Sequence, residues 1–143
     1  MATATVLIVD DEVDFSGIIA ERLRARGFEA DTAESGPEGI EKIQHKAYDA
    51  IVMDLAMPGM DGIEAMKRML AIDGNLQVII LTGRGSVQKG VEAVKLGAAD
   101  FLEKPADIEM LTGKITEAQT KKMALFEDDL QKKMSDLMRK KGW

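Results

Sequence analysis

Short apolar runs alternate with helical patterns along this chain, and this alternation restricts the possible folds more than any other feature. Runs that are apolar throughout are typical of parallel strands buried on both faces. The pattern therefore predicts an α/β fold, a doubly wound five-stranded parallel sheet with helices on both faces. The predicted strands are residues 5–9, 28–33, 49–53, 76–81 and 99–102, and the predicted helices are 13–26, 35–46, 61–71, 86–96 and a last one from about 107.

Length and composition limit the class of protein. The chain has 143 residues, enough for one domain with a core, and 45% of them are hydrophobic. Cysteine is absent, which excludes disulfides and thiolate sites. The single histidine, His45, is expected to face solvent on the second helix rather than bind a metal. No segment resembles a signal peptide or a membrane span, so we expect a cytoplasmic protein without a membrane partner.

Polar side chains follow four of the predicted strands. The acidic residues 10–12 follow the first strand, Asp54 the third, Thr82 the fourth, and Lys104 lies just after the fifth. Each is unremarkable alone, as a helix cap or a turn. Because the carboxyl ends of parallel strands share one edge of the sheet, the four should converge there. The carboxylates would then repel one another, which raises their pKa values and favours binding of a cation.

The residue types at this edge suit phosphoryl transfer. Asp54 is a candidate nucleophile, since a carboxylate can hold a phosphoryl group as an acyl phosphate. Asp10 and Asp11 are hard oxygen ligands suited to Mg²⁺. Lys104 and the metal would neutralise charge on the transferring oxygens, and the Thr82 hydroxyl could donate to one of them.

Four stretches resemble the bacterial two-component response-regulator receiver domain. They are residues 6–12 (VLIVDDE), 51–62 (IVMDLAMPGMDG), 80–83 (ILTG) and 101–105 (FLEKP). The resemblance covers residue 5 to about 118 and implies a flavodoxin-like sheet of order 2-1-3-4-5. Residues 82–86 and 96–100 are most similar to receivers of enhancer-binding activators. Those proteins continue into ATPase and DNA-binding domains, which are not found in these 143 residues, so we expect a stand-alone regulator.

The resemblance implies a role for each residue of the edge. Asp54 would be the phosphorylation site, accepting a phosphoryl group from a sensor histidine kinase or a histidine phosphotransfer protein. Asp11, Asp54 and the backbone carbonyl of Ala56 would bind Mg²⁺ directly, with Asp10 acting through water. Lys104 would contact the phosphoryl group. Such a protein accepts a phosphoryl group and assists its own dephosphorylation, so we expect no enzyme in the ordinary sense.

The resemblance also implies a switch. Thr82 would move toward the phosphoryl group and Phe101 would turn inward, altering the surface of helix four, strand five and helix five for a downstream protein target. Arg84 occupies the position that tunes hydrolysis of the phosphoryl group. Pro105 matches a cis-proline next to the lysine. Phe101 replaces the tyrosine common in the family, so its ring has no hydroxyl.

A helical extension follows the receiver, which divides the chain into residues 1–118 and 119–143. Its apolar residues fall three and four apart, in a stripe along one side of a helix. The stripe either folds back on the domain or serves as a docking or homodimer helix. Residues 114–143 carry 8 basic and 5 acidic side chains, too small an excess to indicate DNA binding. The stripe comprises Met123, Phe126, Leu130, Met134 and Leu137.

Two other kinds of protein share part of this sequence pattern. A haloacid-dehalogenase-like phosphatase also uses an aspartate nucleophile with Mg²⁺, but its pattern needs a second aspartate two residues later, where this chain has Ala56. A flavodoxin-like electron carrier needs a phosphate-binding loop after the first strand, where this chain has acidic residues that repel phosphate.

Overall fold

Five parallel strands form one sheet in the order β2-β1-β3-β4-β5, as the sequence predicted. The computed structural model describes residues 3–140. Residues 1–2 of the predicted receiver domain and residues 141–143 of the predicted extension lie outside the described residues. The elements are β1 Thr5–Val9, α1 Val13–Ala25, β2 Glu29–Ala33, α2 Gly36–His45, β3 Ala50–Asp54, α3 Gly62–Ile72, β4 Val78–Thr82, α4 Val87–Lys95, β5 Asp100–Glu103 and α5 Ile108–Lys140.

The three central strands, β1, β3 and β4, are buried on both faces because nearly all of their residues are apolar. Alternate residues of β1 enter two separate core layers. Leu7 and Val9 pack with residues of α2, α3 and α4. Val6 and Ile8 pack with residues of α1 and α5, in what we call the α1/α5 layer. Helices on both faces confirm the doubly wound fold. They leave the carboxyl ends of the strands uncovered, where polar groups can lie.

Helix starts agree with their sequence cues. The Ser35 side chain accepts a hydrogen bond from the Glu38 N–H and caps α2, and Asp61 does the same for α3 through the Glu64 N–H. His45 is exposed at the end of α2, as expected.

Strand ends differ from the prediction by one residue. Strands β3, β4 and β5 each run one residue further, so that Asp54 and Thr82 are the last residues of their strands. The reason is that the ladder continues past them. The Leu55 N–H donates to the Leu81 carbonyl at 3.0 Å, and the Lys104 N–H donates to the Thr82 carbonyl at 2.8 Å.

Helix α5 runs without interruption for 33 residues. Leu111, Ile115 and Ala118 are buried in the α1/α5 layer. The stripe residues from Met123 to Leu137 are between 48% and 67% exposed, so the stripe does not fold back on the domain. Within residues 3–140, no helix has both the length and the apolar character that crossing a bilayer requires.

The base of the extension nevertheless touches the domain. The Lys122 ammonium donates to the backbone carbonyl of Tyr48, and the Asn75 side-chain amide donates to the Asp129 carboxylate at 2.8 Å. The extension is therefore held against the loops that precede β3 and β4 as far as Asp129.

Candidate functional site at the carboxyl edge of the sheet

The strand ends bring four of the predicted residues to one edge. Asp10 follows β1, and its N–H donates to the Ala33 carbonyl of β2 at 3.0 Å. Asp54 and Thr82 end β3 and β4. Asp10 and Thr82 are fully buried and Asp54 is only 4% exposed. Burial of these polar groups requires partners inside the protein.

Lys104 is the centre of the cluster. Its ammonium Nζ lies 3.2 Å from Asp10 Oδ2 and 3.3 Å from Asp54 Oδ1. A third carboxylate, Glu12 Oε1, lies 3.5 Å away. The Phe15 ring covers the ammonium at 4.4 Å from the ring centroid. One cation thus serves three carboxylates.

The surroundings of Asp54 and Lys104 shift the pKa values of both groups. Burial raises the pKa of Asp54, the Asp10 charge raises it further, and the Lys104 charge only partly opposes them, so the pKa reaches about 6. Burial lowers the pKa of Lys104, but Asp10 and Asp54 outweigh it and the pKa is raised. Lys104 therefore remains an ammonium, and the carboxylates remain short of positive charge.

The cluster fits a divalent cation. Carboxylate oxygens of Asp10, Glu12 and Asp54 all lie within 4.8 Å of one another. Hard oxygen donors at this spacing are suited to Mg²⁺, which binds one or two carboxylates and retains waters. The Asp10 Oδ1 atom also accepts the Glu12 N–H at 2.9 Å, which fixes the orientation of that carboxylate.

Two predicted metal ligands lie at the margin of this group. Asp11 is exposed, and in this conformation Glu12 rather than Asp11 joins the three converging carboxylates. The Asp11 charge is still close enough to raise the pKa of Asp54. Ala56 lies in the loop two residues after Asp54 and is exposed. Sequence reasoning placed Glu12 at this edge as the third residue of the acidic triplet but gave it no role as a metal ligand.

The predicted switch residues lie beside the cluster. The Thr82 hydroxyl donates to the Leu102 carbonyl of β5 at 3.5 Å. Phe101 is half-buried and packs on Gly90 of α4, where a Cβ atom would overlap the ring. Arg84 is exposed in the loop after β4. The Lys104–Pro105 peptide is cis, as the resemblance implied.

The fold and the edge together define a class: a flavodoxin-like α/β domain with an acidic, metal-suited site beside a lysine at the carboxyl edge. Comparison with known proteins identifies the family within this class. The family profile described as response regulator receiver domain matches residues 6–116. The chain belongs to this family, whose members are receiver domains of two-component response regulators.

Individual proteins are also similar in sequence to this chain over most of its length. The chain is 36% identical over 113 residues to the transcriptional regulatory protein ZraR of Klebsiella oxytoca, covering 79% of this chain and 26% of ZraR. It is 35% identical over 109 residues to sporulation initiation phosphotransferase F of Bacillus subtilis, covering 76% and 88%. This chain thus spans about a quarter of the length of the ZraR proteins it matches.

Solved structures show the same fold. A receiver domain protein from Clostridium thermocellum superimposes with a TM-score of 0.81 at 31% identity, covering 85% of this chain and 98% of that chain. The phosphatase alternative finds no support, because the position two residues after Asp54 is Ala56 and offers no acid or base.

Proposed function

We propose that the chain is the phosphoacceptor of a two-component phosphorelay and that Asp54 carries the phosphoryl group. A carboxylate oxygen of Asp54 attacks the phosphorus of a phosphohistidine on a sensor kinase or histidine phosphotransfer protein. The P–N bond breaks and its electron pair returns to the imidazole. The contact of the Lys104 ammonium with Asp54, at 3.3 Å in a cluster of excess carboxylates, is the observation that carries this proposal.

Mg²⁺ completes the site in this proposal. Asp11, Asp54 and the Ala56 carbonyl would hold it directly, and Asp10 would do so through water. Bound there, the metal would neutralise charge on the transferring oxygens. Lys104 keeps its proton and donates to a phosphoryl oxygen, which places positive charge where the transfer concentrates negative charge.

The switch starts from the added charge. Phosphorylation brings about −1.5 to −2 charge units beside Asp10. The Thr82 hydroxyl, whose hydrogen bond to the Leu102 carbonyl is 3.5 Å long, moves to a phosphoryl oxygen, and the Phe101 ring turns inward. The surface formed by α4, β5 and α5, which includes the exposed Val87, Val91 and Val94 of α4, is then altered for a downstream protein target. Arg84 tunes the rate of hydrolysis.

Residues 119–143 form an output segment distinct from the receiver at 1–118 in this proposal. Its exposed stripe serves as a docking or homodimer surface, because apolar side chains this exposed gain from burial against a partner. We propose no direct DNA contact for the acidic domain, and a cytoplasmic location, where a kinase has access to ATP.

Phosphoramidate with Mg²⁺ tests the phosphoacceptor. Intact-mass measurement should show a single, alkali-labile phosphoryl increment on the parent, and EDTA should prevent it. Asp54→Asn should show none. Asp31→Asn is a matched control on β2 and should be labelled like the parent. Equal labelling of Asp54→Asn would overturn the proposal.

Light scattering tests the extension separately. Adding beryllofluoride with Mg²⁺ should raise the mass of the parent toward a dimer. Phe126→Ser with Leu130→Ser should remain monomeric while still taking up the phosphoryl group. Identical masses for parent and variant under both conditions would exclude a homodimer formed through the stripe.

A further inference from the structure

We propose that Phe15 is a positioning residue for Lys104, holding the ammonium over the site without adding negative charge to it. This inference rests on the proposed function, since it concerns the lysine that would contact the phosphoryl group on Asp54. The Phe15 ring and the Lys104 ammonium are 4.4 Å apart, within the range of a cation–π contact.

Phe15 is itself held firmly. It lies in the first turn of α1, three residues after Glu12, and is half-buried against the α1/α5 layer. A phenylalanine has two side-chain torsions, whereas lysine has a flexible four-carbon stem. The rigid ring therefore limits where the Lys104 ammonium can move, and the side chain of Lys104 is only 18% exposed.

The kind of contact matters at this edge. Three carboxylates already surround the ammonium at 3.2 to 3.5 Å. A fourth carboxylate would hold Lys104 equally well, but its charge would repel an anionic phosphoryl group. The face of an aromatic ring attracts the ammonium through its quadrupole and carries no net charge. Phe15 thus stabilises the cation while leaving its charge available to the phosphoryl oxygens.

A divalent cation would compete with the Lys104 ammonium for the carboxylates but not for the Phe15 ring. The oxygens of Asp10, Glu12 and Asp54 converge closely enough for a divalent cation to engage them. Any cation bound there weakens their hold on Lys104. The Phe15 ring is not a ligand for such a hard cation, so its contact with the ammonium persists when the carboxylates are engaged.

Ring fluorination separates this role from packing. Phenylalanine at position 15 is replaced with mono-, di- and trifluorophenylalanine, which keep nearly the same shape and progressively weaken the quadrupole. Phosphorylation by phosphoramidate at saturating Mg²⁺ avoids any kinase contact. The rate constant should fall stepwise, by about two- to five-fold over the series, which corresponds to ~0.5–1 kcal/mol. A flat series in folded protein would overturn the inference.

Phe28 is the matched control. It packs against the same α1/α5 layer but makes no ring contact with Lys104 among the described residues. The same fluorination at position 28 should leave the rate constant unchanged. An equal decline at both positions would assign the effect to packing and reject a role specific to Phe15.

Conventional variants give an independent readout. Phe15→Leu should lower the rate constant and shift the Lys104 Cε proton resonances downfield, because the ring current is lost. Phe15→Trp should retain both. Unchanged Lys104 resonances in Phe15→Leu would contradict the contact. Phosphoryl uptake by the parent is checked first: no uptake rejects the proposed function, whereas uptake with a flat fluorination series rejects the role of Phe15 alone.

Discussion

Two carboxylate–lysine clusters in this protein have opposite electrostatics. On β2, Asp31 accepts hydrogen bonds from the Lys46 ammonium at 2.9 Å and the Tyr48 hydroxyl at 2.8 Å. The Lys46 bond lowers the pKa of Asp31, and Tyr48 assists against the opposing effect of burial. At the carboxyl edge, burial and Asp10 raise the pKa of Asp54 to about 6 despite Lys104.

The difference lies in the supply of partners. Asp31 is one acid with two donors, so its charge is satisfied within the fold. Asp54, Asp10 and Glu12 share one ammonium, so their charge is not satisfied. A cluster that lacks positive charge in the folded protein retains free energy that a bound cation can release. Stability measurements can test this contrast directly.

The largest effect is expected for Asp54→Asn. Removing a buried carboxylate from a cluster with too few donors should raise the free energy of unfolding at pH 7 by about 1–3 kcal/mol. Urea unfolding measures the change. A loss of stability would show that the Lys104 ammonium fully offsets the cost of burying the Asp54 charge. Asp54 would then stabilise the fold as Asp31 does, and the proposed difference between the two clusters would be wrong.

The pH dependence of that difference is a second test. The pKa of Asp54 in the folded protein, about 6, exceeds the ordinary value of 3.8, so the folded state holds this proton more tightly. The destabilisation by Asp54 is therefore absent below pH 3.8 and fully developed above about 6. Parent and Asp54→Asn should converge in stability as the pH falls through this window. A constant difference would contradict the raised pKa.

Adding Mg²⁺ should stabilise the parent by about 1.4 kcal/mol at a concentration of about ten times its Kd. Asp54→Asn should lose most of this gain because it lacks a charged ligand. Thermal unfolding with and without EDTA measures both. An equal gain in the two proteins would place the bound ion elsewhere.

Asp31→Asn should have a smaller effect of opposite sign. The Asp31 side chain is 38% exposed, so solvent screens its contacts and the loss should stay below about 1 kcal/mol. Since the pKa of Asp31 is lowered, its stabilisation is present above 3.8 and disappears as the pH falls through the folded value. The response to Mg²⁺ should match that of the parent. A gain in stability would break the contrast.

The smallest effect is expected for Lys132→Gln on the extension. Lys132 pairs with Asp128 at 3.1 Å, but both side chains are more than half exposed. Solvent replaces such a contact at little cost. The urea midpoint should therefore be unchanged. A clear decrease would show that exposed ion pairs contribute more to stability than the comparison of the Asp31 and Asp54 clusters requires.

Sequence reasoning located Asp10, Asp54, Thr82 and Lys104 correctly because strand ends determine their positions. It did not predict that the side chains of Glu12 and Phe15, at the start of α1, contact the Lys104 ammonium. Strand periodicity places backbones, whereas the direction of a long side chain depends on its neighbours in the folded protein. The available cue was that Phe15 lies in the first turn of α1, three residues after Glu12.

The contact of Lys122 with Tyr48 was missed for a related reason. The two residues are 74 positions apart, so no local sequence pattern links them. The apolar stripe indicates only which side of the helix could bind a partner. Periodicity correctly identified an exposed stripe, but it carries no information about polar contacts on another face of the same helix.

Uninterrupted helix α5 behaves mechanically as a stiff rod. At 1.5 Å per residue its 33 residues measure roughly 50 Å, and the part beyond Ala118 roughly 33 Å. A tilt of about 5° around Ala118 would displace the far tip by ~3 Å, and it would require the Lys122–Tyr48 and Asn75–Asp129 contacts at the base of the extension to give way. Ångström-scale adjustments at the docked end can thus be magnified into a change of alignment at the other end.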